Sequence, residues 1–584
     1  MYKPVRPRLK KTSITRSRNG CKSCRERRTK CDEQKPSCGT CIRLGVQCES
    51  VRTEFKFHVV TKPPSPCSNT AASSRAVVGE ASERRPDRAN QRGLYLPNID
   101  LSVIESLQHT ERDVFYLTYW EDTCLPAVHP MFKSITPSAL KHQMLKDAIL
   151  ALSSCNMSRH TPDRRRSLSV QMGAFSPGLV HQTRSQLYYS SAIRSFASLT
   201  HGELISNAAV AFTVLVLFAY IESSMGNLMA FNCHAQGLES ILLELSRRIG
   251  DEASLRAFFA AWMQIRFVVW WARAYYSILD VHRGLPSVPL PDALLQGCLG
   301  SIHERRVVIL SIMCESHRLN SSQILSYWSR QADIKAPDDN RGEGNDGKSL
   351  QRTCEKLVGE ARKLDNWILN LPLSEQPLMF DSIDFPGHAC NLDDLHTPIY
   401  FQSHEAALNF AYYAVARIMQ CTCTLHQLQY PNSHQSELIS NEEEPWVRLL
   451  LRIAKGTDIR MSISRNNYTI GFSGLLLAAA LRCQTLSLGI DIEAWLGTLQ
   501  SLHPTEEGAF PVYQTLAVVK AINQRRTVGR DVFGVTLPVD DGGGSPKFTC
   551  YNSQSISTLL LHGRCSFSGA LLTEPVGIID SSFS

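Results

Sequence analysis

From about residue 99 to residue 525, apolar side chains recur with a helical period. Leu145, Ala148, Ile149, Leu152 and Cys155 share one face, as do Leu357, Ala361, Leu364, Ile368 and Leu371. The segments 207–221, 257–279 and 473–482 are apolar nearly all round and predict interior helices. No succession of alternating strands appears, so the pattern predicts a large all-α helical domain. A polar, Gly-rich stretch, QADIKAPDDNRGEGNDGKS at 331–349, interrupts it. This divides the helical region into a first part at 99–330, a flexible loop at 331–350 and a second part at 351–525. Past 525 the periodicity fades. DDGGGSP at 540–546 and a Ser-rich end predict a poorly ordered tail over 526–584, with a short element near 557–561.

Ahead of the helical region the chain changes character. KPPSP at 62–66, a Ser/Ala-rich run and ERRPDR at 83–88 mark a linker over 49–98. Within it Phe55, Phe57 and Val59 alternate, which predicts a short strand or extended arm at 49–60. Residues 1–20 form a basic arm, with Lys3, Arg6, Arg8, Lys10, Lys11, Arg16 and Arg18, suited to nuclear import or phosphate contact. The longest apolar run, 208–221, has 14 residues and contains Thr213, too short for a bilayer span, so no membrane partner is expected. The amino-terminal residues lack the apolar segment of a secretory signal, so a reducing compartment is expected.

Charge sharpens the division. The chain nets +8, yet residues 1–48 hold 14 Lys or Arg against Glu26, Asp32 and Glu33 and net +11, leaving −3 for all the rest. A polycation confined to one short end is expected to meet a polyanion. The same end holds six of the 19 cysteines, in CKSCRERRTKCDEQKPSCGTCIRLGVQC at 21–48, spaced C-x2-C-x6-C-x6-C-x2-C-x6-C. Clustered cysteines in a reducing compartment point to metal rather than disulfides. Thiolates two residues apart grip one metal from a single turn. Six thiolates fall short of the eight ligands that two separate tetrahedral sites need, and two shared sulfurs close the count. The first cysteine of each half, Cys21 and Cys38, is best placed to bridge. One Zn²⁺ then takes Cys21, Cys24, Cys31 and Cys38, and the other Cys38, Cys41, Cys48 and Cys21. Two Zn²⁺ with six thiolates carry a formal −2, which the surrounding Lys and Arg outweigh. A segment this short buries no useful core, so the metal is expected to supply its folding energy.

These residues closely resemble the fungal Zn(2)-C6 binuclear zinc-cluster family of DNA-binding transcription factors. The match covers the six cysteines with Arg25, Arg27, Arg28, Lys30, the run Cys31-Asp32-Glu33, Pro36 and Gly45. It implies a small zinc-stabilised domain of two short helices and loops, related by a pseudo-twofold, with Pro36 in the connecting loop. It implies nuclear DNA binding at a CGG-type triplet. The basic residue three positions before the third cysteine reads guanine, and here that is Arg28, where relatives often carry Lys. Arginine bonds guanine O6 and N7 bidentately. Arg25, Arg27 and Lys30 are expected on phosphates, with Thr29 on backbone or base edges. The implied partners are double-stranded DNA, the transcription machinery or co-regulators, and a second copy as a homodimer. The coiled coil through which many relatives dimerise is not legible, since no sustained heptad follows the cluster. More loosely, 110–525 is similar to the family's helical regulatory domain, at 144–155, at His234 to Gly237 and at 406–419.

Rival chemistry is weak. Residues 342–349, GEGNDGKS, match the G-x4-G-K-S form of a phosphate-binding loop, but no strand precedes them and Glu343 and Asp346 repel phosphate. Cys421, Cys423 and His426 read as packing, because residues two apart share no helical face. Glu442, Glu443 and Glu444 before Pro445 and Trp446 read as a solvated loop rather than an activation patch. No catalytic motif stands out, and a non-enzyme is expected. The resemblance therefore implies a regulator of RNA polymerase II genes, and at family level one of a metabolic or secondary-metabolite gene set. The competing reading is a helical ligand-binding or enzymatic protein that carries a structural zinc staple.

Overall fold

The computed structural model describes residues 21–48 except 28, 30, 33, 35 and 36. It also describes 109–577 except 161–176, 226–229, 232, 240, 242–251, 284, 289, 291–299, 334–343, 379–396, 430–441, 503–505, 509 and 539–557. The expected basic arm at 1–20 and the linker at 49–98, with its short strand, lie outside the described residues. The chain divides into two units, residues 1–96 and 97–584.

In the first unit two short helices, α1 (Lys22–Glu26) and α2 (Gly39–Arg43), carry the cysteines. The only core among its described residues is the cysteine cluster with Val46 packed against it.

The second unit is built mostly of helices. Its principal elements are α3 (His109–Tyr119), α4 (Gln143–His160), α5 (Leu179–Ala197), α6 (Ala208–Ser224) and α7 (Glu252–Arg273). There follow α8 (Ile302–Asp333), α9 (Gly344–Leu369), α10 (His404–Gln420), α11 (Glu444–Gly456), α12 (Phe472–Ala480), α13 (Leu486–Ser501) and α14 (Val512–Arg526). The segments read as interior helices are α6, α7 and α12. From Phe212 to Ile221, α6 is buried on every side, as an apolar run with no polar face requires. Helix α8 is the central strut and packs on α7, α9 and α10. Among the described residues, no helix is long and apolar enough to cross a membrane.

Two expectations need correction. The loop placed at 331–350 is shorter, because α8 runs to Asp333 and α9 begins at Gly344. Leu350, Leu357 and Leu364 are buried along α9, and that packing holds helix through a Gly-rich start that propensity alone disfavours. The GKS of the phosphate-loop match therefore lies inside a helix. The tail at 526–584 is also not uniformly irregular. It carries an antiparallel sheet of β1 (Arg530–Thr536), β2 (Thr558–Cys565) and β3 (Leu571–Gly577), in the order β1-β2-β3. Arg530 pairs with Cys565 and Thr536 with Leu560, while Thr558 pairs with Gly577. Buried side chains dock this sheet on the helices. The Trp328 indole N–H on α8 donates to the carbonyl of Leu572 at 3.0 Å, and Arg482 donates to Phe533 O at 2.8 Å and Asn320 Oδ1 at 2.7 Å.

The helical unit buries several histidines in neutral form. Burial pushes the pKa of His129 down to about 3, and those of His282 and His562 down to about 4. Each takes up a proton on unfolding near its ordinary pKa of about 6.5, but only at lower pH when folded. Their contribution is therefore present above about pH 6.5 and is lost as pH falls towards 4, at about 1.4 kcal/mol per pH unit for each group in that window. Thermal unfolding is expected at clearly lower temperature at pH 5 than at pH 7. A midpoint unchanged between those values would contradict the neutral assignment.

Candidate metal centre and nucleic-acid interface

The local sequence builds the centre from two turns. Cys21 precedes α1 and Cys24 lies in it; Cys38 precedes α2 and Cys41 lies in it. Cys38 is the N-cap of α2, and its sulfur accepts the Cys41 N–H at 3.4 Å. The helix ends on Gly45, at φ +62°. The Gly45 N–H donates to Ile42 O at 3.2 Å and the Val46 N–H to Cys41 O at 3.1 Å, a Schellman closure. A residue with a Cβ costs about 1–2 kcal/mol in that left-handed conformation. The turn returns the chain to Cys48, whose sulfur accepts the Cys38 N–H at 3.3 Å.

All six expected cysteines come together. Their sulfurs form two groups, Cys21-Cys24-Cys31-Cys38 and Cys21-Cys38-Cys41-Cys48, each within 4.8 Å and sharing Cys21 and Cys38. Cys21 and Cys38 stand 3.7 Å apart, Cys24 and Cys38 3.6 Å, and Cys21 and Cys41 3.5 Å. A tetrahedral zinc with bonds of about 2.3 Å sets its sulfurs about 3.8 Å apart, so the set fits the metal. The thiols differ. The Cys24 N–H holds Cys21 below its ordinary pKa, and the Cys41 N–H does the same for Cys38. Burial pushes Cys24 up to about 12. A backbone donor also reaches Cys48, whose thiol is nevertheless raised, so a lowered thiol pKa goes with the two shared sulfurs among the cluster thiols that shift. Elsewhere, Cys421 and Cys423 are buried and belong to no such group among the described residues.

The family match lies at this end of the chain. Residues 19–56 match the model of the fungal Zn(2)-Cys(6) binuclear cluster domain. Residues 19–56 belong to that family. The binuclear cluster domain binds two zinc ions, and the six-cysteine constellation here is the set that holds them.

The chain is 58% identical over 57 residues to sterol uptake control protein 2 of Candida albicans, covering 9% of this chain and 8% of that protein. It is 62% identical over 32 residues to lysine biosynthesis regulatory protein LYS14 of Saccharomyces cerevisiae, covering 6% and 4%. The longest of the similarities runs 220 residues at 25% identity, to the aspercryptin biosynthesis cluster-specific transcription regulator atnN of Emericella nidulans, covering 36% of this chain and 32% of that one. The chain thus spans about a third of the length of one curated relative and under a tenth of the others named. No solved structure matches.

Of the residues expected at DNA, Arg27 and Thr29 are exposed beside the binuclear cluster. The Thr29 N–H donates to Cys24 O at 3.0 Å. Arg25 sits in α1; its side chain, Arg28 and Lys30 lie outside the described residues. Asp32, which the sequence match included, and Ser23, which it did not, tie the halves together. The Asp32 carboxylate accepts the Gly39 N–H at 2.9 Å, and Ser23 Oγ donates to Gln47 O at 2.7 Å. A Cβ on Gly39 would stand 2.6 Å from Asp32 Oδ2, so a larger residue there would push the carboxylate aside. Asp32 carried one weak signal, an acid inside a polycation. Its partner seven residues on is a tertiary contact that local spacing does not disclose.

Proposed function

We propose that this chain is a nuclear, sequence-specific DNA-binding regulator of RNA polymerase II genes. The observation that carries the reading is the pair of four-sulfur groups sharing Cys21 and Cys38, set within 48 residues that net +11. In this reading Cys21 and Cys38 bridge the two zinc ions, Cys24 and Cys31 complete one site, and Cys41 and Cys48 the other. The metals fix α1, and the basic residues in and after it meet the duplex. Arg28 reads guanine in a CGG-type triplet, Arg25, Arg27 and Lys30 hold phosphates, and Thr29 contacts backbone or a base edge. The helical unit recruits co-regulators or the transcription machinery, and the chain has no catalytic role. The similarity to atnN and LYS14, regulators tied by name to biosynthesis, favours control of a metabolic or secondary-metabolite gene set.

Arg28→Ala is expected to cost about 1–3 kcal/mol on the cognate duplex and to relax selectivity at that base pair. Lys30→Ala is expected to weaken all sequences alike and to flatten the salt dependence by about one phosphate. Titrations of both variants at several salt concentrations check this. Equal cognate affinity for Arg28→Ala and wild type would overturn the base-reading role, and an unchanged salt slope for Lys30→Ala would overturn the phosphate role.

A further inference from the structure

Helix α5 is held on α4 through small residues. Ser185 and Ala192 are buried, Ser185 Oγ donates to Ala151 O at 2.8 Å, and Ser191 Oγ donates to Asp147 Oδ2 at 2.7 Å. The opposite face of α5 is exposed and carries Leu179, Thr183, Leu187, Ser190, Ile193 and Arg194. Leu187 is 65% exposed and Leu179 61%. The 19 residues of α5 include no acid, and Arg194 is the one charged residue on its exposed face. Helix α9 shows the ordinary alternative. Opposite its buried Leu350, Leu357 and Leu364 it exposes Lys348, Arg352, Glu355, Lys356, Arg362 and Asp365. An outer face as long and uncharged as that of α5 has the composition of an interface rather than of a solvated surface.

Helix α3 lies beside α5 and extends the face. Tyr188 Oη donates to Asp113 Oδ1 at 2.8 Å, and the Tyr116 hydroxyl meets His181 Nδ1 at 2.8 Å. The Tyr116 and Tyr188 rings meet edge to face with centroids 6.1 Å apart. Residue numbers rise along α3 as they fall along α5 in these pairs, so the two helices run in opposite directions. Outward, α3 exposes Glu111, Val114, Phe115 and Thr118. Val114 and Phe115 add apolar surface, and Glu111 stands towards the end of α5 that bears Arg194.

We propose that the outer face of α3 and α5 pairs with the same face of a second copy of this chain about a twofold axis. An axis running along the helices lays α3 of one protomer over α5 of the other. Val114 and Phe115 then meet the partner's Leu187, and Glu111 meets the partner's Arg194. The charges favour a copy over a foreign partner, because the face carries an anion and a cation at matching levels, and a twofold brings each to the other. The chain beyond residue 48 nets −3, too little to hold two such units apart. At about 1.5 Å of rise per residue and about 10 Å of width per helix, the two helices offer about 450 Å² per copy. A pair then buries about 900 Å², the size of a reversible contact rather than a permanent one. Two zinc clusters would share one particle without the coiled coil that is not legible after the cluster. The pairing stands apart from the DNA-binding reading and holds whether or not that reading does.

Sedimentation velocity of the full zinc-loaded chain without DNA, over a micromolar concentration series, is the test. The expected result is a reversible monomer–dimer equilibrium. Leu187→Glu is expected to weaken the dimer at least tenfold while retaining the helical circular dichroism of the parent, since the side chain it replaces is exposed. Arg194→Glu and Glu111→Arg are each expected to weaken it, and the two together to restore it. In the unmodified chain, raising the concentration is expected to slow hydrogen exchange at 111–118 and 179–197, a readout that needs no variant. A chain that stays monomeric throughout the series would overturn the proposal. So would an undiminished dimer of folded Leu187→Glu, or protection confined to other segments. Failure of the charge-swapped pair to recover would overturn the twofold register and with it the pairing of Glu111 with Arg194.

Discussion

Cys38→Ser is expected to remove both zinc ions from the chain and to unfold residues 21–48. Its sulfur belongs to both four-sulfur groups and also caps α2 through the Cys41 N–H at 3.4 Å. Losing it leaves each site with three thiolates, while the serine hydroxyl can still cap α2, so the effect isolates the metal. Among the described residues of the first unit the cysteines themselves are the buried ones, and no apolar core is there to replace the metal. Structural zinc in such small domains is worth about 10–16 kcal/mol, far more than any single contact here. Cys21→Ser should behave alike. Cys31→Ser is the comparison, because that sulfur belongs to one group and its loss should weaken one site more than the other. Metal content by mass spectrometry under native conditions decides the matter. One zinc firmly retained in Cys38→Ser would refute the shared-ligand assignment.

The second large effect is expected in the helical unit, where Glu507→Ala should cost about 3 kcal/mol or more. Glu507 is fully buried, and its carboxylate closes the start of α12. Oε1 accepts the Phe472 N–H at 3.0 Å and Asn466 Nδ2 at 2.6 Å, and Oε2 accepts the Ser473 N–H at 2.7 Å. Truncation orphans all three donors in a dry interior, each worth about 1–3 kcal/mol when left unmet. Burial raises the carboxyl pKa, while Asn466, Ser473 and Phe472 pull against that rise. Gly471 is part of the device, because a Cβ there would come within 2.4 Å of the carboxylate. Glu507→Gln keeps the shape and one acceptor but turns an amide N–H₂ towards existing donors, so an intermediate loss is expected. Denaturant midpoints for both variants check the order. Equal stability of Glu507→Ala and wild type would show that the network contributes nothing.

The centre was legible because its information is local. Two copies of C-x2-C-x6-C set the ligand count, and counting to eight singled out Cys21 and Cys38 as the shared sulfurs. The helices were legible where burial is one-sided, as along Leu357 and Leu364, or total, as in 208–221. Of the C-terminal sheet only the short element near 557–561, which falls in β2, was legible. β1 reads RDVFGVT and is buried from Val532 to Thr536 without alternation, because the sheet packs on α8 through Trp328. β3 reads LLTEPVG, where Pro575 and Gly577 imitate a turn signal, and β2 lies more than 20 residues beyond β1. Pairings of that kind depend on tertiary partners. The carboxylates of Asp32 and Glu507 were hidden for the same reason, since their donors lie seven and 34–41 residues away.

The central claim is that a zinc-held basic cluster reads DNA sequence. It is tested most directly by incubating the zinc-loaded full chain with a random duplex library at physiological salt and sequencing the bound fraction, with a chelated sample alongside. The account predicts enrichment of a guanine-rich CGG-type triplet that disappears on chelation. A bound fraction with the composition of the input library, or the same enrichment without zinc, would contradict it.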